Sequence, residues 1–307
     1  MVIVVLSHLL IAVLLSLPAA ASAYTLPLEG SRLIGRMQHH TVEKDDYFQS
    51  IAEQYNVGFL ALMAANPGID PFLPKVGLRL TIPSQMLLPY ISHEGIVVNL
   101  PELRMYYFLP DENKVMVFPV GIGKQGLATP QTISYISVKT KDPTWVPTAE
   151  TKERYFAEHG KVLADKVPPG PDNPFGKYSL RLGTSVYLLH GTNKRFGIGM
   201  RASSGCIRMY DDDIKWLYEN TPLNTKVRII EQSVKMSYEN ETTRLIEIHA
   251  PLSDSIDEKV NEEGIYMTES IQYFIGHSKR VNNFFKPYFQ KPKGLVLAIK
   301  KAPKKML

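Results

Sequence analysis

"LLHGTNKRFGIGMRASSGCIRM", residues 188–209, holds the chain's single cysteine, Cys206, sixteen residues after His190. One thiol cannot close an internal disulfide, so Cys206 is either a small buried hydrophobe or a nucleophile. His190 ends the apolar run VYLL, and Gly191-Thr192 turn the chain away, a placement that exposes a side chain at a sheet edge. Ser203-Ser204-Gly205-Cys206 follows with small residues whose backbone can come close to another molecule, and the amides of Gly205 and Cys206 are candidates for binding an oxyanion. A thiol with a base to ionise it and donors for the developing charge is what cysteine acyl chemistry requires. Asp211-Asp212-Asp213 is placed to cap a helix, DIKWLYEN, that would hold the loop. Residue type and spacing alone leave both readings of Cys206 open.

Outward from this stretch, residues 95–231 carry short segments rich in β-branched and aromatic residues and bounded by turn formers: GIVVNL, RMYYFL, KVMVFPVGI, SYISVK, VYLLHG and KVRII. Their number predicts a mainly β domain. Gly121-Ile-Gly-Lys-Gln-Gly126 has the glycine spacing of a dinucleotide fingerprint and follows an apolar strand. The next residues, Leu-Ala-Thr-Pro-Gln-Thr, cannot open the helix whose N-terminus would meet a pyrophosphate. The segment reads as a turn, and no cofactor or metal is expected.

Residues 38–83 read as a small βααβ unit. His40–Val42 forms a strand, Asp46 caps a helix with apolar positions Phe48, Ile51, Ala52 and Tyr55, and Phe59, Leu60, Leu62 and Met63 mark a second helix ended by Asn66-Pro67-Gly68 before the strand LRLTIP. Residues 232–307 read as an α/β accessory segment, with RLIEIHAPLS a strand and ESIQYFIGHSKRVNNFF a helix. Residues 1–23 lack Lys, Arg, Asp and Glu and finish on Ala21-Ser22-Ala23, as a secretory signal peptide does, which places the mature chain in the periplasm. No later run reaches the roughly 18 apolar residues of a membrane helix, so the mature chain is expected to lack a transmembrane segment. An exported chain with one cysteine has no disulfide framework and must rest on ordinary cores. The 35 Lys and Arg against 30 Asp and Glu give a net charge of +5, mostly scattered, which disfavours nucleic acid as a partner and suits a polyanionic envelope surface.

Residues 188–209 resemble the active-site signature of the L,D-transpeptidases with a YkuD-type catalytic domain, a histidine followed at a distance by Ser or Thr, His, Gly and Cys. His190, Ser203, Gly205 and Cys206 match, CIRM continues the pattern with Arg208, and Ser204 stands where a second histidine is usual. The likeness runs from about Gly95 to Ile230 through GIVVNLPELRMYY, GIG, TP, DPTWVPT, VPPGPDNPFG and HGTNKRFGIGMR. Residues 38–83 are similar to a LysM module through HTV, NVG, ANPGID and LTIP, and the pair of domains resembles the ErfK/YbiS/YcfS-type subgroup. The expected division is a signal peptide at 1–23, a LysM domain at 38–83, a β-sandwich or barrel-like catalytic domain at 95–231 and an accessory segment at 232–307.

The resemblance implies a peptidoglycan enzyme. Cys206 would attack the diaminopimelate carbonyl of a tetrapeptide stem, with His190 as base, oriented by the carbonyl of Gly191. Ser203, Ser204 and Gly205 would line the site. Arg208 would hold a substrate carboxylate or pair with the Asp211–Asp213 run, and Tyr187 and Trp145 would line the peptide groove or belong to the core. Asp45, Asp46, Tyr47, Asn66, Pro67 and Ile69 would lie along the glycan, with Asp45 in place of the module's usual glycine. The acyl group would pass to the terminal lysine of a Braun-type outer-membrane lipoprotein or, alternatively, to a second diaminopimelate as a 3→3 crosslink. A non-enzymatic wall-binding protein is the reading from a different class. A papain-like hydrolase is disfavoured because its cysteine precedes its histidine.

Overall fold

The computed structural model describes residues 22–252, 265–276 and 278–300. The proposed signal peptide falls almost wholly outside them; Ser22–Thr25 is an edge strand paired with Lys114–Pro119.

The protein is mainly β. Its largest sheet has nine strands in the spatial order Ser22–Thr25, Lys114–Pro119, Arg104–Leu109, Gly95–Asn99, Lys226–Ile230, Thr132–Lys141, Tyr178–Leu182, Leu188–His190 and Ile207–Arg208. Thr132–Lys141 turns the corner. Its first half pairs with Lys226–Ile230 and its second half with Tyr178–Leu182, and the register shifts between Ile136 and Val138. Such an irregularity bends a strand and sharpens its twist, so the sheet curls on itself. Inside the curl, Ile96, Val98, Met105, Phe118, Leu180 and Leu189 pack against Ile214 and Leu217 of the helix Asp211–Asn220. The opposite face of the same strands, with Val97, Tyr106 and Phe108, is covered by Ile34, Met86 and Leu88 around the two-stranded ribbon Leu33–Gly35 and Gln85–Leu87. Burial on both faces explains why GIVVN and RMYYFL are continuous apolar runs rather than alternating ones.

The 38–83 unit is a βααβ fold: strands Gln38–Thr41 and Arg79–Ile82 pair antiparallel, and helices Phe48–Gln54 and Phe59–Ala65 bury Phe48, Ile51, Phe59 and Leu62 against Leu80 and Ile82. The first strand begins two residues earlier than His40. Asp46 does not cap the helix; Tyr47 occupies that position, while Asp46 accepts from the Glu43 amide at 2.7 Å and pairs with His40 Nε2 at 2.8 Å.

The segment after Ile230 is a third unit, in which strands Val234–Tyr238, Thr243–Ile248 and Val296–Lys300 form an antiparallel sheet. The single helix expected from ESIQYFIGHSKRVNNFF is two, Glu269–Ile275 and Lys279–Gln290. Gly276 takes a positive φ of 110° beyond the first, and Ser278 Oγ caps the second by accepting from Val281 N at 3.2 Å.

This unit is fastened to the nine-stranded sheet by buried charge. Lys235 Nζ lies 2.8 Å from Glu102 and 3.0 Å from Glu247, Arg104 bridges both carboxylates, and His249 Nε2 meets Glu247 at 2.7 Å. Burial pushes both carboxyls up, but the Lys235 and Arg104 charges beside them outweigh it and hold both below the usual carboxylate range. Glu102, Glu247 and His249 resemble a metal-binding donor set, but the Lys235 ammonium already supplies the cation. Removing one member leaves buried charge uncompensated. Lys235→Met is therefore expected to cost about 3–5 kcal/mol in denaturant unfolding; a loss near zero would mean that the network contributes no stability.

Candidate active site

His190 and Cys206 are brought together by strand pairing. Leu188–His190 runs parallel to Ile207–Arg208, with Leu189 opposite Ile207 and His190 opposite Arg208. Arg208 therefore stands opposite His190 on the neighbouring strand, and Cys206 immediately precedes that strand. His190 is 3% exposed, and its Nδ1 donates to the Gly191 carbonyl at 2.5 Å. That bond fixes the tautomer and leaves Nε2 as the acceptor. The Phe175 ring lies against the imidazole with centroids 4.7 Å apart, and Trp145 meets Phe175 edge to face at 6.4 Å. Trp145 thus stands one ring away from His190. Gly191 has no room for a side chain, since a Cβ there would lie 2.8 Å from Asp211 Oδ1.

Burial dominates the electrostatics of the pair. It lowers the His190 pKa to about 3 in spite of the Gly191 hydrogen bond, and the nearby Arg208 charge lowers it further. Burial raises the Cys206 thiol, opposed by a hydrogen bond from the Leu188 backbone and by the Arg208 charge. The resting pair is therefore a neutral thiol and a neutral imidazole across the physiological range. Because the unfolded imidazole takes a proton near 6.5 and the folded one does not, His190 makes folding less favourable as pH falls from 6.5 toward 3.

The Cys206 turn is tightly pinned. Ser203 Oγ donates to the Cys206 carbonyl at 2.5 Å and accepts from the Gly205 amide at 3.1 Å. The Gly205 amide, expected at an oxyanion hole, is thus committed inside the turn. Gly205 has a φ of 102°, and a Cβ would strike the Tyr187 ring at 2.8 Å, so Tyr187 roofs the turn. Thr129, which the sequence reading passed over, donates from Oγ1 to the Gly205 carbonyl at 2.8 Å and accepts from Gly123 N at 2.9 Å. Gly121 and Gly123 serve close backbone packing: Cβ atoms there would lie 2.2 Å from Gly197 O and 2.1 Å from Leu127 O. Ile122–Gly123 is a short strand parallel to Arg201–Ser203, and no helix follows.

Arg208 forms no ion pair with Asp211–Asp213 among the described residues; its guanidinium lies against Gly197, and its Nε is buried without a hydrogen-bond partner. The three aspartates occupy the first turn of the helix behind Tyr210, which takes the cap position. Ser204 is exposed and accepts from Arg154 Nη2 at 2.9 Å. Arg154 belongs to the helix Ala149–His159, which the sequence reading did not anticipate.

The 38–83 unit supports the segment that runs from His190 to Tyr210. Glu53 pairs with Arg195 at 3.1 Å, Gln49 donates to Tyr210 Oη at 2.9 Å, and Leu60 N donates to Gly199 O at 3.1 Å. Of its candidate glycan residues, Asp45 has a φ of 69°, the conformation that makes glycine the easier choice there. Tyr47, Pro67 and Ile69 are exposed or partly exposed, whereas Asn66 is buried, its amide bonded to Leu62 O, Thr81 O and Thr81 N at 2.8 Å each. The Asn66 side chain staples the helix end to the strand and does not face solvent.

The L,D-transpeptidase catalytic domain family matches residues 93–229, the LysM domain family residues 40–83 and the L,D-transpeptidase C-terminal domain family residues 233–299. The probable L,D-transpeptidase YcfS of Escherichia coli K12 is 50% identical over 268 residues, 86% of this chain and 83% of that one. The probable L,D-transpeptidase ErfK/SrfK of the same strain is 42% identical over 293 residues, 93% of each chain. Among solved structures, an L,D-transpeptidase from Mycobacterium smegmatis aligns at 16% identity with a TM-score of 0.36, covering 51% of this chain and 64% of that one. With a catalytic domain, a LysM domain and a C-terminal domain each matched and a relative sharing half its residues, the chain belongs to the L,D-transpeptidase family, transferases that act on peptidoglycan.

Proposed function

We propose that this enzyme works in the periplasm through a Cys206 thioester. His190 Nε2 takes the thiol proton as sulfur attacks the diaminopimelate carbonyl of a tetrapeptide stem. The S–C bond forms, the C–N bond to D-alanine breaks, and the same imidazolium returns its proton to the leaving amine. An acceptor amine then displaces the thiol with the proton flow reversed. The observation that carries this reading is the Nδ1 bond from His190 to the Gly191 carbonyl, which leaves Nε2 as the ring's acceptor beside the strand that Cys206 precedes. Arg208 favours the thiolate electrostatically, and the Cys206 amide is the donor proposed for the oxyanion. Ser203 and Gly205 hold the turn, while Tyr187 and Trp145 border the peptide.

The LysM domain keeps the catalytic domain at the glycan through Asp45, Asp46, Tyr47, Pro67 and Ile69, raising the effective concentration of stems without choosing an acceptor. The order of modules supports the terminal lysine of an outer-membrane lipoprotein as acceptor. Mass spectrometry of wall digests from a strain with this enzyme as its sole L,D-transpeptidase is expected to show stem peptides carrying lipoprotein fragments. Digests containing only 3→3 dimers would overturn that acceptor and leave the thioester chemistry standing.

A further inference from the structure

The helix Ala149–His159 lies over the nucleophile turn and buries none of its own residues. Polar contacts hold it: Lys124 to Glu158 at 3.1 Å, Lys152 to Asp165 at 2.6 Å, and Arg154 to Ser204 at 2.9 Å. Lys124 itself is tied to the turn, its amide donating to Ser203 O at 2.9 Å. Of these three cations, the two lysines each face a carboxylate at short range. Arg154 instead spends its Nη2 on a neutral hydroxyl, and its nearest carboxylate is the largely exposed Glu150, 3.8 Å from Nη1. A planar guanidinium with five donors is best matched by a bidentate carboxylate, which the protein does not provide here.

The position is specific. Ser204 is two residues before Cys206, so the Arg154 guanidinium is bonded to the turn that carries the thiol. When sulfur attacks a stem one residue from its end, the free carboxylate of the leaving residue lies about one residue length, ~3.8 Å, beyond the attacked carbonyl. Arg208 lies against Gly197 and beside His190, near enough for its charge to lower the Cys206 thiol. The two arginines therefore occupy different places, Arg208 beside His190 and Arg154 on Ser204.

We propose that Arg154 binds the terminal carboxylate of the donor stem and so selects stems that end one residue past the attacked carbonyl. This rests on the thioester reading above. The test measures thioester formation by intact-mass spectrometry, with kcat/KM, for a tetrapeptide donor and for the same peptide as its C-terminal carboxamide. The wild type is expected to prefer the carboxylate by about 10- to 100-fold, the worth of a charged hydrogen-bonded contact. Arg154→Ala should lose that preference by slowing the carboxylate donor alone, Arg154→Lys should keep part of it, and Ser204→Ala should keep it in full. If Arg154→Ala slows both donors equally, or Ser204→Ala reproduces its effect, Arg154 merely props the turn and the proposal fails. If the wild type forms no thioester with either donor, the thioester reading itself fails first.

Discussion

A Cys206→Ala variant is expected to lose acyl transfer from peptidoglycan stems by a factor on the order of 10⁴ to 10⁶, as when a covalent nucleophile is removed from a preorganised site. The fold should be unaffected. Cys206 is partly exposed at the end of a turn already pinned by Ser203, Thr129 and Tyr187, and none of those contacts uses the sulfur. Glycan binding should also survive, because the proposed groove lies on the LysM domain, whose core is built from other residues. Pull-down on purified peptidoglycan and thermal unfolding, measured beside transfer, separate loss of chemistry from loss of structure. Retained transfer would remove the thiol from the mechanism.

His190→Ala should slow thioester formation by about 10²-fold or more, the contribution of a positioned base. Its pH profile is the sharper readout. With the imidazole pKa held at about 3 by burial and the thiol raised by burial, the wild-type pair keeps one protonation state from about pH 5 to 8, and acylation should be flat there. Without the base, only the spontaneously ionised thiolate reacts, so the variant's rate should climb about tenfold per pH unit until the thiol titrates. A wild-type profile with an inflection near 6.5 would mean that His190 titrates as an exposed histidine does.

What could be read in the sequence followed from local pattern. The paired helices of the LysM unit, the apolar strands at 95–99, 104–109 and 226–230, and the juxtaposition of a histidine at a strand end with a cysteine in a small-residue turn all leave periodic or compositional traces. Contacts made across the chain leave none. Thr129 reaches the Cys206 turn from a loop 76 residues away, and Phe175 reaches His190 from a proline-rich turn; neither residue type announces the role. The helix Ala149–His159 buries nothing, and its large apolar residues Tyr155 and Phe156 are adjacent rather than at helical spacing, so it has no apolar stripe to betray it. Lys235 and Glu247 read as solvent-facing positions of strands, and only the docking of the C-terminal unit on the catalytic sheet turns them into buried partners. The commitment of the Gly205 amide to Ser203 Oγ is equally invisible, because it accompanies a φ of 102° that sequence does not display.

On the proposed mechanism, a stem peptide spends part of each turnover covalently attached to Cys206. Incubating the wild-type protein with a purified tetrapeptide stem in the absence of acceptor, quenching in acid and mapping peptides by mass spectrometry tests it directly. The expected result is a tripeptide acyl adduct on the peptide containing Cys206, with one equivalent of free D-alanine released. Release of D-alanine with Cys206 unmodified, or an adduct on any other residue, would contradict it.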